Sequence, residues 1–110
     1  MAGNKTRIMY VERITGSGHD GTAFIGRVSF SKTGKTIYFR GKKLQRGTGV
    51  RGNYFEVDSG VEYWISGPKK NGQDRHWASS NRPVKIDQNV VDEYWRDIRK
   101  CELPADPFEI

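Results

Sequence analysis

The sequence predicts a mainly β domain of the α+β kind: a small, strongly bent five-stranded antiparallel sheet resembling an SH3-like barrel, with one C-terminal helix. Three observations carry this expectation. Short runs rich in β-branched and aromatic residues, separated by Gly-, Ser- and Asp-containing turns, occupy the chain as far as Ser66. Apolar residues recur at helical spacing only after Asp87. The 110 residues include three Trp, five Tyr and five Phe, enough large side chains for one core although only 35% of the chain is hydrophobic. A single domain over 1–110 is expected, ordered over about 7–101, with flexible 1–6 and a flexible tail over 102–110.

The first strand is read over Arg7 to Ile14, which contains Ile8, Met9, Tyr10 and Val11, and it ends in the turn-rich run Gly16 to Gly21. Residues 23–31 and 35–41 form a hairpin around Thr33-Gly34, since glycine accepts the positive φ of a tight turn. An even-length loop there pairs Phe30 with Ile37 and Val28 with Phe39, giving one apolar face. The other face then carries Arg27, Ser29, Tyr38 and Arg40, with Arg27 and Arg40 side by side. Lys42 to Arg51 reads as a Gly-rich loop. A second hairpin turns at Asp58-Ser59-Gly60; a three-residue loop pairs Val57 with Val61 and Phe55 with Tyr63, leaving Tyr54, Glu56, Glu62 and Trp64 on its outer side. Lys69 to Asn81 is polar and turn-prone, and Pro83 to Ile86 is a short edge strand. Asp87 is the expected helix N-cap, and Val90, Val91, Tyr94, Trp95 and Ile98 form the apolar stripe of the helix. Asp92 and Glu93 near its start and Arg96, Arg99 and Lys100 near its end suit the helix dipole. Pro104 and Pro107 prevent its continuation.

Net charge is +6, but its distribution is more informative than its total. Between Asp20 and Glu56 there is no acidic residue and there are eight basic ones, whereas from Asn81 onward five basic residues face seven acidic ones. Such a block provides a surface for an anionic partner; its bland alternative is solubility. The lone Cys101 excludes an intramolecular disulfide, and two His with one Cys do not make a closed four-ligand zinc site without carboxylates, so neither a metal nor a cofactor is expected. No apolar h-region stands at the amino terminus and no stretch approaches the roughly 20 apolar residues of a membrane span. A cytoplasmic protein without a membrane partner is the expectation.

The run Ser31-Lys32-Thr33-Gly34-Lys35-Thr36 ends like a phosphate-binding loop, but Ser29 stands where that pattern needs glycine, and a β-branched, aromatic segment follows where it needs a helix. Turn chemistry favours a hairpin there. His19 beside Asp20 and His76 after Asp74-Arg75 are general-base candidates in form, yet no nucleophile accompanies either, and an exposed loop histidine is the plainer reading. Cys101 follows a helix C-terminus, whose dipole opposes thiolate formation. Glu56 and Glu62, facing each other across the second hairpin, are neutralised by the basic hairpin, form an acidic aromatic pocket for an organic cation with Tyr54 and Trp64, or act as paired catalytic carboxylates. The first is preferred.

Several segments resemble a family of short uncharacterised bacterial proteins: Met9-Tyr10-Val11-Glu12, Ile25 to Tyr38, Asn53-Tyr54-Phe55-Glu56-Val57, Glu62 to Gly67, Val84-Lys85-Ile86-Asp87 and Glu93-Tyr94-Trp95. The likeness spans roughly Met9 to Trp95. Members are sometimes labelled 1-deoxyxylulose-5-phosphate synthase, which implies a thiamine-diphosphate enzyme; a chain of this length with no cofactor-binding signature is not expected to be one. The resemblance therefore implies a bacterial origin and assigns no functional residues.

The residues alone favour a non-enzymatic binding module. Nucleic acid is the leading partner, met by Arg27, Tyr38, Arg40, Lys42, Lys43, Arg46 and Arg51, because Lys and Arg neutralise phosphate while aromatics offer stacking surface. No zinc-finger or RNP-type pattern is present. A protein partner, as for an immunity-type inhibitor or regulatory adaptor, is the alternative, and a small enzyme the third class.

Overall fold

The computed structural model describes residues 5–14, 23–47, 52–70 and 84–110. Its architecture is mainly β with one C-terminal helix, as the strand and helix signals predict. Six antiparallel strands close into a barrel: β1 (Thr6–Arg13), β2 (Ala23–Phe30), β3 (Thr36–Phe39), β4 (Lys42–Arg46), β5 (Tyr54–Glu56) and β6 (Glu62–Ser66). Each pairs with the next, and β6 returns to β1 through Tyr10↔Ser66 to Arg13↔Tyr63, so the sheet has no free edge over that stretch. Expected as five strands, the sheet has six in the barrel and a seventh strand beside it.

The first hairpin has the expected register, Ser29 opposite Tyr38 and Phe30 opposite Ile37. Ser31 to Thr36 is its turn: the Ser31 amide donates to the Thr36 carbonyl at 2.8 Å, the Gly34 amide to the Ser31 carbonyl at 2.9 Å, and Gly34 takes φ +77°. No phosphate-binding loop forms from these residues.

Beyond Phe39 the expectation fails for a local reason. Arg40 (φ 50°) and Gly41 (φ 76°) make a two-residue turn between the paired residues Phe39 and Lys42, with both central φ positive as a type I′ turn requires. The segment read as a Gly-rich loop therefore starts as β4, whose Leu44 is buried opposite Ile37. Arg40, placed in the turn, does not lie beside Arg27.

The second hairpin closes by four residues, Val57 to Gly60, and not three: the Glu56 amide donates to the Val61 carbonyl at 2.9 Å and the Gly60 amide to the Glu56 carbonyl at 2.8 Å. The extra residue slips the register by one, pairing Tyr54 with Tyr63 and Phe55 with Glu62. Both tyrosines turn inward and are buried, while Phe55 turns outward. Glu56 and Glu62 thus do not face each other. Glu56 accepts from Ser59 Oγ at 2.8 Å, and Glu62 Oε1 accepts the Gly52 amide at 3.0 Å. Neither the cation pocket nor the carboxylate pair considered for them exists.

Two apolar clusters result. Met9, Val11, Val28, Ile37, Phe39, Leu44, Tyr54, Tyr63 and Ile65 fill the barrel. The opposite faces of β1 and β2, through Ile8, Tyr10, Ala23 and Ile25, pack outward against Val84, Ile86, Val90, Val91, Tyr94 and Trp95. This second layer begins with β7 (Lys85–Ile86), which runs parallel to β2 along the stretch of its edge that β3 leaves when it turns at Arg40. The helix enters through a 3₁₀ turn (Gln88–Val90), makes one α turn (Val91–Glu93) and widens into a π turn (Tyr94–Arg99). The wider turn lets the adjacent Tyr94 and Trp95 both point inward, edge to face with centroids 5.1 Å apart. Asp87 makes no side-chain cap; its carboxylate goes to Arg40.

The segment expected as a flexible tail folds back. The Ile86 amide donates to the Phe108 carbonyl at 2.7 Å, Val84 and Ile110 exchange both backbone bonds, and the indole of Trp95 donates to the Pro107 carbonyl at 2.8 Å. The helix ends before either proline, at Lys100, which takes a left-handed conformation (φ 54°), and Pro107, which has no amide hydrogen but keeps its carbonyl, anchors Trp95. Among the described residues, no helix is long and apolar enough to cross a membrane.

Candidate functional site

Seven residues were singled out by the sequence, and the barrel distributes the described ones over four places. Arg27 lies on the outer face of β2 at the edge of the helix, where its guanidinium pairs with Glu93. Arg40 and Lys42 stand at the barrel end formed by the β3–β4 turn. Tyr38 and Lys43 are direct cross-strand partners on the outer face of β3 and β4. Arg46 ends β4 at the opposite end of the barrel, exposed. Arg51, His19 and His76 lie outside the described residues, and Cys101 is exposed.

Carboxylates separate these cations into two groups. Arg27 has Glu93, Arg40 has Asp87, and Lys42 has Glu56 at 3.7 Å. Arg40 is held further by its own stacking, with the guanidinium carbon 4.0 Å from the Phe24 ring centroid and 5.3 Å from that of Phe39. Among the described residues, no carboxylate comes within ion-pair distance of Lys32, Lys35, Lys43 or Arg46. Those four all belong to the β2–β3–β4 segment, and no described carboxylate pairs with any of them.

Around Lys43 the alternation of the strands builds a small mixed surface. Ser29, Tyr38 and Lys43 form one row across β2, β3 and β4; Thr36, Gln45, Phe55 and Glu62 form the next across β3 to β6. Tyr38 is 41% exposed, and Val57, whose amide donates to the Lys43 carbonyl at 3.0 Å, continues the first row and is exposed as well. Gln45 and Phe55 are half-buried. Strand order puts β4 three strands from β1 in either direction, so this wall is across the barrel from the layer that the helix covers. Gln45 and Phe55 escaped the sequence reading because Arg40-Gly41 was not taken as a turn; a two-residue turn there would have aligned Tyr38 with Lys43 and Thr36 with Gln45.

The second place is the barrel mouth. The ends of β1, β3 and β5 and the starts of β2, β4 and β6 surround a pocket of about 350 Å³. Phe24, Phe39, Tyr63 and Val61 line it, and Arg13, Arg40, Lys42 and Glu56 also border it. Arg13 and Phe24 are the lining residues that the sequence does not single out, since which strand ends meet at the mouth follows from barrel closure and not from any local pattern. Among the described residues, no group of three or more His, Cys, Asp and Glu side chains is placed to hold a metal ion.

On the helix surface two neighbouring groups perturb each other's acidity. Arg96 bonds Asp97 at 2.9 Å, which holds the Asp97 carboxyl below, and the Arg96 guanidinium above, their ordinary values. The pair is fully exposed. Comparison with protein-family models, with curated proteins and with solved structures finds no match to this chain.

Proposed function

We propose that the protein is a non-enzymatic binding module that holds single-stranded nucleic acid on the barrel wall opposite its helix. The observation that carries this reading is the registered pair Tyr38 and Lys43, an exposed ring beside a cation that has no carboxylate partner among the described residues, on the wall across the barrel from the C-terminal helix. A base stacks on an aromatic face whatever its identity, and each lysine or arginine that meets phosphate releases counterions. Lys35 and Arg46, at the Thr36 end of the same hairpin, extend the cationic track; Phe55 and Gln45 supply a second ring edge and an amide. Arg27 is left out because Glu93 already neutralises it.

The test is the salt dependence of binding to oligo-dT and oligo-U. Tyr38→Ala should weaken binding by about 1 to 3 kcal/mol, while Lys43→Gln should weaken it and lower the salt slope by roughly 0.7, the value of one single-strand phosphate contact. Arg27→Gln should leave both nearly unchanged. Absence of binding at low ionic strength and micromolar protein overturns the reading, and so does an Arg27→Gln effect as large as that of Lys43→Gln. A protein partner, recovered as a tight complex with little salt dependence, is the outcome that would replace it.

A further inference from the structure

We infer that the barrel mouth is a separate binding site, for a small aromatic carboxylate carrying one negative charge. Nothing in the nucleic-acid reading uses this pocket, which opens at the β3–β4 turn and not on the wall of Tyr38 and Lys43.

Three properties of the mouth define the ligand. The first is size: about 350 Å³ is near the lower end of the roughly 300 to 1,000 Å³ typical of small-molecule sites, which suits one ring and a short substituent. The second is the lining, where Phe24 and Val61, both half-buried, and the nearly buried Phe39 and Tyr63 present apolar and aromatic surface at the end of the core. Over this lining the Arg40 guanidinium is stacked on Phe24 and fixed by Asp87, with 45% of its side chain still exposed. A guanidinium held flat on a ring presents its outer face to a further planar group.

The third property is charge. Arg13, Arg40 and Lys42 border the mouth; Asp87 compensates Arg40 and Glu56 compensates Lys42. Arg13 is exposed at the end of β1 and, among the described residues, no carboxylate lies within ion-pair distance of it. Among the described residues one cation is therefore in excess, which a monoanion balances. Arginine is the side chain suited to a carboxylate, because its planar fork donates two parallel hydrogen bonds. The ligand's ring would lie against Val61 and the outer face of the Arg40 guanidinium, with its carboxylate toward Arg13.

Benzoate is the probe, with benzamide as the neutral isostere and acetate as the anion without a ring. Amide shift perturbation on the whole chain should show benzoate moving the signals of Arg13, Phe24, Phe39 and Tyr63. Benzamide and acetate should each bind at least about tenfold more weakly, as loss of a charge-assisted contact or of ring burial implies. Arg13→Gln should weaken benzoate by a similar factor. Val61→Trp, which fills the mouth without altering its charge, should abolish the benzoate shifts, so the proposal does not depend on one variant folding. Tyr38→Ala should leave benzoate binding unchanged, which keeps this test independent of the nucleic-acid wall. The proposal is overturned if benzoate moves no signals at the mouth at millimolar concentration, if benzamide matches it, or if Arg13→Gln binds it as well as the parent protein.

Discussion

On one side of the barrel, β1 and β2 pass Ile8, Tyr10, Ala23 and Ile25 to a second layer made by β7, the helix and the returning C-terminal segment; on the other, β3, β4 and β5 show Tyr38, Lys43, Gln45 and Phe55 to solvent. The strands are built alike on both sides. What differs is the outward set of the alternation, apolar on β1 and β2 and mixed polar and aromatic on β3 to β5. Charge follows the same division. Around the covered layer Arg27, Arg40 and Lys85 meet Glu93, Asp87 and Glu109, whereas Lys32, Lys35, Lys43 and Arg46 of the bare hairpin meet no carboxylate among the described residues. A covering layer that brings carboxylates converts a basic face into a structural one, so basic residues counted along the chain overstate the surface available to an anionic partner.

The largest test of this contrast uses two tryptophans. Trp95 is 5% exposed within the second layer, and Trp64 is 38% exposed on β6. Trp95→Ala should cost about 3 to 5 kcal/mol in chemical denaturation, as for other buried aromatics, and Trp64→Ala about 1 kcal/mol or less. Similar losses at both positions would break the distinction between a tryptophan buried in the second layer and one exposed on the barrel.

An intermediate effect is expected where the two sides are joined. A Cβ on Gly26 would come within 2.5 Å of Asp87 Oδ2 and 2.7 Å of Phe39 Cε1, so the absence of a side chain is what lets the Asp87 carboxylate sit against the sheet and reach Arg40. Gly26→Ala should destabilise by about 1 to 3 kcal/mol, the usual cost of overpacking. Asp87→Ala combined with it should cost less than the sum of the two, because the clash is partly with that carboxylate.

The smallest effect concerns the exposed pair Arg96 and Asp97. Its carboxyl pKa is lowered by the hydrogen bond from Arg96, so the pair's contribution to stability is present above the unfolded-state aspartate value and is lost as pH falls through the folded one. An NMR titration should place the Asp97 midpoint below that of an ordinary aspartate, and Arg96→Gln should return it upward. A midpoint unchanged by that substitution would show that the hydrogen bond is not the cause.

Much of the fold was legible because hydrophobic alternation is strong where a strand is buried on one face or both. The register of β2 with β3 follows from it, while the inward Trp95 follows from helical spacing and the short strand at Ile86 from a proline placed at its start. β4 was hidden because Leu44 is its one buried apolar residue and because Arg-Gly is an unusual type I′ turn, the positive φ of Arg40 being repaid by stacking on Phe24 and pairing with Asp87. In the second hairpin the adjacent Tyr54 and Phe55 gave alternation no preference for either face. The Ser59 hydroxyl, which bonds both Glu56 Oε1 and the Val61 amide, fixes the longer loop. For the candidate site, composition identified the basic block, but which cations are neutralised depends on Glu93, Asp87 and Glu56, two of them more than forty residues away in sequence.

The order of strands also governs the order in which the molecule can be assembled. Five of the six pairings of the barrel join neighbours along the chain, and the sixth, β1 with β6, closes once Ser66 is in place. Among the described residues, what packs on the outward side of Ile8, Tyr10, Ala23 and Ile25 comes from residues 84–110, so during synthesis a closed barrel precedes this covering layer. For that interval the nascent protein exposes an aromatic and aliphatic patch that the finished one never shows, and the speed with which the helix and the Phe108 to Ile110 strand follow determines how long a chaperone or a second chain has access to it.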